Sequence, residues 1–469
     1  MDTATIRKRI LELAYQGSLT EQNTTDGNVD KLYSDIRKFV ANKELPEVDS
    51  GECFVDIPSN WKWVRVGNIA KINPKNEKDD NEDASFIPMT FVTEGFQNKH
   101  SFEIKKWGDI KKGFNHFCEG DIGVAKITPC FQNRKSVIFK NLHNGFGACT
   151  TELVILRTIE DFLLAEYLLY FFKTEYFILK GVESFTGVVG QQRIHKDYIK
   201  MTPIPLPPVE EQRRIVQKIK ETFDLLDNID EMQQQYSSNL EVLKSKIIDA
   251  GIQGKLTKQL PEDGTAEELL EQIAKEKKQL IKEKKIKATK ALPEITEDEI
   301  PFEIPSNWKW VCLNNTGILQ TGATPPKTNP DYFGNDIPFL SPGDIQDNTI
   351  VSYNNQGLSN LGIEKARVVD ENSVLQVCIG GSIGKAAIND RKVTFNQQIN
   401  SVTPILCEAK YLFYCMVSSH FIGKIQIASA GAATPIINKS KWGELLIPLP
   451  PLAEQKRIVE KITQILEQI

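Results

Sequence analysis

IPLPPVEEQRRIVQKIKETFDLLDNID, residues 204–230, decides how the chain is organised, because a second copy, IPLPPLAEQKRIVEKITQILEQI, occupies residues 447–469. In both copies a Pro-Leu-Pro-Pro segment precedes Glu-Gln, a basic residue and Arg-Ile-Val. Two adjacent prolines end a preceding strand and allow a helix to begin directly after them. The sequence therefore predicts a helix after each copy.

The first of these helices is predicted to be long. No proline or glycine separates Val209 from Ala250, and at about 1.5 Å per residue such a helix approaches roughly 60 Å. Apolar residues recur along it at three- and four-residue spacing, at Ile215, Ile219, Phe223, Leu226, Ile229, Met232, Tyr236, Leu240, Leu243 and Ile247. This stripe is typical of a coiled coil and requires a partner, for which the second copy is the candidate.

Further segments are also repeated, which predicts a duplicated chain. The pairs are Ile57–Val64 (IPSNWKWV) with Ile304–Val311, Leu45–Val48 with Leu292–Ile295, and Lys8–Gln22 with Ser245–Gln259. The chain therefore reads twice as helix tail, linker, domain and helix. This order predicts a circular arrangement with neighbouring termini, a pseudo-two-fold axis and two long antiparallel helices. The alternative is an old duplication whose halves no longer pair.

The expected fold class is mixed α/β, with two β-rich α/β domains joined by two long antiparallel coiled-coil helices. The expected boundaries are 1–52 for the N-terminal helix tail and linker, 53–208 for the first domain, 209–301 for the central helix, helix tail and charged linker helix, 302–451 for the second domain, and 452–469 for the C-terminal helix. Strands are predicted at Phe86–Thr93, Ser136–Phe139, Leu153–Arg157, Ile337–Leu340, Ser373–Ile379 and Val402–Leu406, and helical segments at Phe162–Lys180 and Lys410–Ile425.

The linker segment Ala266–Lys290 is rich in lysine and glutamate, and Asp263–Thr265 is a suitable helix start. One interpretation is a basic surface that contacts DNA phosphates. The favoured interpretation is a connecting helix whose few apolar residues dock on the long helices. Its counterpart, Asn23–Lys43, is shorter and mixed in charge.

Length, net charge and cysteine content limit the classes of protein to which the chain can belong. The chain has 469 residues and a net charge of −5, so we expect more than one domain, and any nucleic-acid binding requires a local basic surface. Its eight cysteines are scattered and read as reduced thiols of a cytoplasmic protein. No apolar run approaches the roughly 20 residues of a membrane helix.

Catalytic motifs are not recognisable in the sequence. The five histidines lack metal-ligand spacing. Gly380–Lys385 resembles a phosphate loop only faintly, because its glycines bracket three residues and Ala386 follows the lysine. Asn329–Tyr332 (NPDY) lacks the second proline of an adenine-methyltransferase tetrapeptide, so a turn is the favoured interpretation. We therefore expect neither a catalytic residue nor a metal site.

Polar loops in both domains are better candidates for function. Gln and Asn suit adenine, Arg and Lys suit guanine, and Ser, Thr and backbone amides suit phosphates. The candidate DNA contacts in the first domain are Lys126, Thr128, Gln132, Asn133, Arg134, Lys135, Gln191, Gln192 and Arg193. Those in the second domain are Thr321, Thr324, Lys327, Ser341, Lys385, Asn396, Gln397, Gln398 and Thr434. Their recurrence at matching places carries the prediction.

The chain resembles the specificity subunits of type I restriction–modification systems over nearly its whole length. The resemblance rests on the duplicated IPLPPxxEQxRIV and IPSNWKWV segments and on loop motifs within each domain. These motifs are Lys71–Pro74, Phe86–Met89 and Lys126–Cys130 in the first domain, and Thr321–Pro325, Asp336–Phe339, Gly380–Gly384 and Asn396–Gln398 in the second. The first domain lacks the TGATP-type start of the second, so the two should read different half-sites.

The resemblance implies two target-recognition domains that each read half of a split double-stranded DNA sequence. It also implies helices that set the spacing and dock two methyltransferase subunits, and restriction subunits where the system has them. The docking residues expected on this basis are Ile215, Ile219, Phe223, Leu226, Ile229, Ile458, Ile462 and Ile465. S-adenosylmethionine, magnesium and ATP would belong to the partner subunits, not to this chain. Two alternatives stay open: a coiled-coil scaffold that binds only proteins, and a self-contained DNA methyltransferase or nuclease.

Overall fold

The computed structural model describes residues 1–23, 25–40, 43–159, 161–188, 191–287, 294–346, 349–353, 355–430 and 434–469. The chain divides into two compact units, Met1–Gln234 and Gln235–Ile469. In each unit the helix tail, linker, domain and one part of the central helix share a continuous hydrophobic core. The segments that we separated at residues 52, 208, 301 and 451 are therefore packed together within their own unit.

The first unit contains seven helices in its described residues, together with the first part of an eighth. They are α1 Thr3–Tyr15, α2 Val29–Val40, α3 Val66–Ile69, α4 Trp107–Ile110, α5 Ala165–Phe172, α6 Glu175–Glu183, α7 Tyr198–Met201 and the first part of α8 Val209–Ile252. Its strands are β1 Lys62–Arg65, β2 Lys71–Ile72, β3 Asp83–Ile87, β4 Glu103–Lys106, β5 Asn115–Cys118, β6 Ile122–Ala125, β7 Ser136–Ile138, β8 Phe146–Cys149, β9 Leu153–Arg157 and β10 Pro203–Leu206.

The strands of the first unit form two four-stranded sheets and one strand pair. One sheet has the order β2-β9-β6-β7 and is antiparallel throughout. The other has the order β4-β3-β8-β5, with β3 and β8 parallel. The pair β1–β10 joins the start of the domain to the strand that leads into α8. Strands β6 and β7 form a hairpin whose loop, residues 126–135, is named the first hairpin loop below.

The second unit repeats this plan. After the last part of α8 its helices are α9 Ala266–Lys282, α10 Asn360–Ile363, α11 Ala409–Val417, α12 Ser419–Ser429, α13 Lys439–Gly443 and α14 Leu452–Leu466. Its strands are β11 Lys309–Cys312, β12 Gly317–Thr321, β13 Phe333–Gly334, β14 Phe339–Leu340, β15 Gly357–Leu358, β16 Val368–Val369, β17 Val374–Val377, β18 Ala386–Ile388, β19 Val393–Phe395, β20 Ile399–Pro404 and β21 Leu446–Leu449.

The main sheet of the second unit has the order β12-β20-β17-β18, and a smaller sheet has the order β14-β19-β16. Two strand pairs, β13–β15 and β11–β21, complete it, and β11–β21 matches β1–β10. Strands β17 and β18 form a hairpin like β6 and β7. Its loop, residues 378–385, is the second hairpin loop.

Two predicted helical segments are each two helices. Phe162–Lys180 divides into α5 and α6, and Lys410–Ile425 divides into α11 and α12. The breaks occur because Thr174 and Ser418 accept hydrogen bonds from the backbone N–H of Phe177 and Phe421, which starts a new helix at each point.

The predicted strand boundaries also need correction. The strand predicted at 86–93 lies at 83–87, and the one predicted at 402–406 lies at 399–404. Leu153–Arg157 was predicted with the observed bounds. Boundaries failed where a turn follows the strand, as at Met89–Phe91, which forms a 3-10 turn.

Helix α8 pairs with a different helix in each unit. In the first unit Thr3 donates a hydrogen bond to Asp230 at 2.6 Å, and Arg7 forms ion pairs with Asp227 and Asp230, so α1 runs antiparallel to α8. In the second unit Gly251 lies against Ile458 and Ile462 of α14. The absence of a Cβ at Gly251 allows this close approach.

The charged linker helix α9 belongs to the second unit. Thr265 caps its start, and Leu269 and Ile273 are buried in the core of that unit. The backbone N–H of Ala266 donates to the carbonyl of Asn307 at 2.9 Å. These contacts are those of a connecting helix that docks on the domain, whereas docking on the long helices stays a prediction. Residues 288–290 of the predicted segment, and Leu292 and Pro293 of the repeated one, lie outside the described residues, as do 24, 41 and 42 of its counterpart.

The cysteines are all free thiols, and Cys149, Cys312, Cys378 and Cys415 are buried. None of the helices in the described part of the chain is both long and apolar enough to cross a membrane.

Candidate nucleic-acid interface

The first hairpin loop lies against the segment that precedes α7. The backbone N–H of Thr128 donates to the carbonyl of Gln192 at 2.9 Å, and that of Ile194 donates to the carbonyl of Lys126 at 3.0 Å. These bonds bring the two predicted groups of the first domain, residues 126–135 and 191–193, into one surface. Val189 and Gly190, which directly precede residues 191–193, lie outside the described residues.

Several polar side chains of this surface are exposed. Gln132 and Asn133 are exposed at the tip of the loop. The Thr128 hydroxyl donates to Gln132 Oε1 at 2.6 Å, and Asn133 Nδ2 donates to Glu94 at 3.1 Å. Lys126 and Lys135 are half-buried, and Gln191 is exposed. These side chains provide both donors and acceptors that a base edge requires.

The two arginines of the first domain are engaged with carboxylates. Arg193 forms a two-point pair with Glu152, at 2.8 Å for the shortest contact, and this pairing lowers the pKa of Glu152. Arg134 forms an ion pair with Glu175, and its Nε donates to the carbonyl of Lys173 at 3.1 Å. Only 14% of the Arg134 side chain is exposed. Arg134 therefore supports the loop in this structure, and its role as a DNA contact stays a prediction, whereas Arg193 is 43% exposed.

The second hairpin loop has matching neighbours. The backbone N–H of Gly380 donates to the carbonyl of Pro435 at 3.0 Å, and that of Cys378 donates to the carbonyl of Gln398 at 2.8 Å. The loop therefore lies beside Gln398 and beside Thr434, which is exposed. Residues 431–433, which directly precede Thr434, lie outside the described residues.

The other predicted residues of the second domain surround this loop. The Thr324 hydroxyl donates to Gln397 Oε1 at 2.5 Å. The Asn396 side chain donates to Gln398 at 3.2 Å, and its backbone N–H donates to the carbonyl of Leu340, which precedes Ser341. Thr321 is turned inwards and donates to Asn400 at 2.7 Å, whereas Lys327 is exposed.

The two hairpin loops end in equivalent residues, which the sequence comparison missed. Ala125 N–H donates to the carbonyl of Lys135 at 2.9 Å, and Val377 N–H donates to that of Lys385 at 2.8 Å. The residues just before these lysines, Arg134 and Gly384, have left-handed φ values of 55° and 96°. Lys135 and Lys385 therefore occupy the same place in the two units. The loops differ in length and composition, which concealed the match.

The weak catalytic motifs have structural explanations. Gly380–Lys385 connects two strands of a hairpin, whereas a phosphate loop connects a strand to a helix. Asn329 caps a 3-10 turn at Pro330–Tyr332, as the turn interpretation predicted. Within the described residues no group of three or more His, Cys, Asp or Glu side chains is arranged to hold a metal ion.

The apolar residues predicted to dock subunits are mostly buried within this chain. Six of the eight are buried core residues, namely Ile215, Ile219, Phe223, Leu226, Ile458 and Ile462. A seventh, Ile229, is partly buried and packs against the core. Ile465 is half-buried. Because a partner cannot contact a side chain that is already covered, the predicted docking residues need correction. The exposed apolar residues of α8 are Leu225, Met232, Tyr236, Val242 and Leu243.

Two copies of one α/β unit, each with a polar hairpin loop at an equivalent place, define a duplicated recognition protein. The family model described as "Type I restriction modification DNA specificity domain" matches residues 58–237 and 305–469. The chain belongs to this family, and its function is that of a DNA specificity subunit of a type I restriction–modification system.

Curated relatives agree with this assignment. The type I restriction enzyme EcoAI specificity subunit of Escherichia coli is 31% identical over 527 residues, which covers 98% of this chain and 88% of the relative. The EcoEI specificity subunit of the same species is 31% identical over 530 residues, which covers 97% and 88%.

Solved structures show the same fold. A chain described under "Structural basis underlying complex assembly and conformational transition of the type I R-M system" matches with a TM-score of 0.64 and 18% identity, over 88% of this chain and 91% of that one. The HsdS subunit from Thermoanaerobacter tengcongensis matches with a TM-score of 0.51 and 19% identity, over 89% and 92%.

Proposed function

We propose that the two units read the two halves of a split double-stranded DNA sequence. The observation that carries this proposal is the equivalence of the hairpin loops, which end in Lys135 and Lys385 and lie beside Gln192 and Gln398 respectively. Two related units whose hairpin loops carry different side chains are suited to two different half-sites. Lysines at equivalent places suit a contact that both half-sites share, such as a phosphate.

The candidate contacts in the first unit are Lys126, Thr128, Gln132, Asn133, Lys135, Gln191, Gln192 and Arg193. Those in the second unit are Thr324, Lys327, Ser341, Lys385, Asn396, Gln397, Gln398 and Thr434. Arg193 would exchange Glu152 for a base edge or a phosphate on binding, because its guanidinium is still partly exposed. Glu94 and Glu152 keep the free surface from being uniformly basic, so we expect salt-sensitive binding by the chain alone.

We further propose that this chain supplies recognition and its partners supply chemistry. Adenine methylation would belong to two methyltransferase subunits with S-adenosylmethionine, and cleavage to restriction subunits with magnesium and ATP. The exposed residues of α8 are the candidate docking surfaces, because Leu225 and Met232 in the first unit, and Tyr236 and Leu243 in the second, are exposed and each pair is seven residues apart. This spacing places the two residues of each pair on one side of a helix, where a partner helix could cover them.

The long helix is also the proposed spacer between the two half-sites. It extends from Val209 to Ile252, and the proposal is that its length determines the number of base pairs between the half-sites. The circular arrangement with a pseudo-two-fold axis that the repeats predict belongs to this proposal.

The test is to co-express the chain with the methyltransferase encoded beside it and to map methylated adenines across the genome by single-molecule sequencing. A split motif with a fixed spacer, lost when this chain is omitted and altered in one half when residues 302–451 are exchanged for those of a relative, is the expected result. Methylation that is unchanged without this chain would leave a protein scaffold as its role. Methylation by the purified chain alone would show that it is itself an enzyme.

A further inference from the structure

Lys173 is a charged residue inside the core of the first unit. It lies between α5 and α6, its exposed fraction is 0%, and it follows the apolar run Leu168–Phe172. Its ammonium donates three hydrogen bonds to backbone carbonyls: to Gly95 at 2.8 Å, to Ser136 at 3.0 Å and to Arg134 at 3.1 Å. All three N–H groups are therefore used.

These bonds connect the helix break to the first hairpin loop. Arg134 is in the loop and Ser136 directly follows it, while Gly95 N–H donates to the carbonyl of Asn133 at 2.8 Å. One side chain thus connects both segments that shape the tip of the loop, where Gln132 and Asn133 are exposed.

The arrangement is costly, which argues against an incidental lysine. Within the described residues no carboxylate forms a salt bridge with Lys173, and the nearby Arg134 repels it. Burial lowers the pKa of Lys173 to about 7. A buried amine is costly to desolvate unless its N–H groups are hydrogen-bonded, and here all three bonds go to the carbonyls of Gly95, Arg134 and Ser136.

The second unit achieves the same connection with different residues. Gln376, with an exposed fraction of 0%, donates through Nε2 to the carbonyl of Gly384 at 2.8 Å and to that of Met416 at 3.0 Å. Trp442 Nε1 donates to Gln376 Oε1 at 2.7 Å and fixes the amide. Gly384 matches Arg134. Met416 lies two residues before Ser418, the N-cap of α12, as Phe172 lies two residues before Thr174, the N-cap of α6. The same loop carbonyl therefore receives a buried side-chain donor in both units.

The positions of the two donors are exchanged between the units. Gln376 pairs with Ala386 across the hairpin as Val124 pairs with Ser136, so Val124 is the counterpart of Gln376. Val417 follows Met416 and is the counterpart of Lys173. The first unit therefore has valine on the strand and the donor after the helix, and the second unit has the reverse.

The two equivalent loop carbonyls, those of Arg134 and Gly384, belong to residues with left-handed backbone. Gly384 adopts a φ of 96° readily, but Arg134 at 55° is strained as a residue with a side chain. A hydrogen bond to the carbonyl of such a residue fixes the turn, and the turn determines the orientation of the next residue, Lys135 or Lys385. Fixing the turn reduces the conformational freedom that the loop loses on binding.

We propose that Lys173 and Gln376 are positioning residues, each of which holds the hairpin loop of its own unit in the shape that reads one DNA half-site. The proposal rests on the proposed function for its DNA part. The part of the proposal that concerns the shape of the loops depends only on the structure of each unit.

Amide hydrogen exchange of the full chain tests the holding of the loop. The N–H groups of Asn133, Arg134 and Lys135 donate to carbonyls within the loop, so their exchange reports loop opening. We expect Lys173→Met to accelerate their exchange by about tenfold, the factor for loss of roughly one hydrogen bond. Exchange in β9 and in the second unit should not change. Unchanged loop exchange would overturn the proposal, as would equal acceleration in β9.

Specificity is tested with the split motif that methylation mapping identifies, on duplexes with one half altered at a time. Lys173→Met should lower discrimination at one half and Gln376→Leu at the other, each by about tenfold. Loss at both halves from either variant would overturn the proposal. Faster loop exchange with full discrimination would show that the loops are held but do not read DNA. The proposed function itself fails only if the wild-type chain yields no split motif.

A double variant protects the test against simple misfolding. Val124→Gln with Lys173→Val places a neutral donor at the strand position that Gln376 has in the second unit. If Lys173 acts only by holding the loop, this neutral donor should recover most of the slow exchange and the discrimination that Lys173→Met loses. Failure of the double variant with a wild-type melting temperature would show that the ammonium itself is required, which contradicts a positioning role.

Discussion

The indole Nε1 of Trp61 donates a hydrogen bond to the carboxylate of Glu211 at 2.7 Å, and this bond joins the two most strongly repeated motifs of the chain. Trp308 and Glu454 form the same bond in the second unit at 2.8 Å. The tryptophan is in IPSNWKWV, at the start of the domain, and the glutamate is in the first turn of the helix that leaves it. The motifs are repeated together because each satisfies a buried polar group of the other.

The other repeated residues of the helix motif have equally specific contacts in both units. Gln212 accepts from the backbone N–H of Leu164 at 3.1 Å, and Gln455 accepts from that of Glu408 at 2.9 Å. Arg214 pairs with Asp26, and Arg457 pairs with Asp263. The Glu-Gln-x-Arg sequence therefore fastens the helix to the domain start, the domain helices and the linker at once.

Removal of the Glu211 carboxylate should destabilise the first unit. Glu211 is fully buried and Trp61 nearly so, so Glu211→Ala leaves the indole N–H without its acceptor and should lower the free energy of unfolding by about 1–3 kcal/mol. The matched control is Glu210→Ala, since Glu210 is the exposed neighbour of Glu211. Thermal unfolding provides the measurement, and equal melting temperatures for the two variants would contradict the role of this bond.

The Arg457–Asp263 pair should make the stability of the second unit depend on acid pH. The hydrogen bond from Arg457 lowers the pKa of Asp263 below its ordinary value of 3.8. The native state then binds the proton less readily than the unfolded state, so the contribution is present above the ordinary pKa and is lost as the pH falls through the native one. Asp263→Asn should cost about 1 kcal/mol at pH 7 and less at pH 3. A melting-temperature difference of the same size at both pH values would count against this explanation.

Much of the architecture was predictable because the segments that define it occur twice in the sequence. The proline pairs marked the strand exits, and the absence of helix breakers from Val209 to Ala250 predicted α8, which extends to Ile252. The partners of Glu211 and Arg214 were not predictable, since Trp61 and Asp26 are far away in sequence and only packing brings them together.

The site was only partly predictable. Sequence reasoning identified the loops, and the structure brings residues 126–135 beside 191–193. It did not foresee the ion pair of Arg134 with Glu175, because that pair depends on where α6 begins. It also missed Lys173 and Gln376. A lysine directly after the apolar run LLYFF was the one signal available for Lys173.

Two neighbouring residues of the first hairpin loop should have separable effects. Gln132 is exposed, whereas the side chain of Arg134 is turned to Glu175. Gln132→Ala should weaken discrimination at one half of the target by about 1–3 kcal/mol, with an unchanged melting temperature. Arg134→Ala should lower the melting temperature first. Binding measured on half-altered duplexes, beside thermal unfolding, distinguishes the two. If Gln132→Ala binds every duplex like the wild type, Gln132 is not a base contact.

Substitutions on the exposed and buried sides of α8 should separate docking from folding. Met232 and Tyr236 are 61% and 66% exposed, so Met232→Asp with Tyr236→Asp should abolish co-purification of the methyltransferase while leaving stability within about 0.5 kcal/mol. Ile219 is fully buried, and Ile219→Ala should cost about 2–5 kcal/mol. Co-purification of the double aspartate variant in normal amounts would place the docking surface elsewhere.

The length of α8 should set the spacer of the recognised sequence. Four residues inserted after Met232 add about one turn, or about 6 Å, to a continuous helix. At about 3.4 Å per base pair this corresponds to roughly two base pairs, so methylation mapping should show the same two half-sites separated by a longer spacer. The matched control replaces four residues at the same place without changing the length, and it should leave the motif as it was. An inserted variant that methylates the original motif would show that α8 does not determine the spacing, because a rigid helix cannot lengthen without moving what it separates.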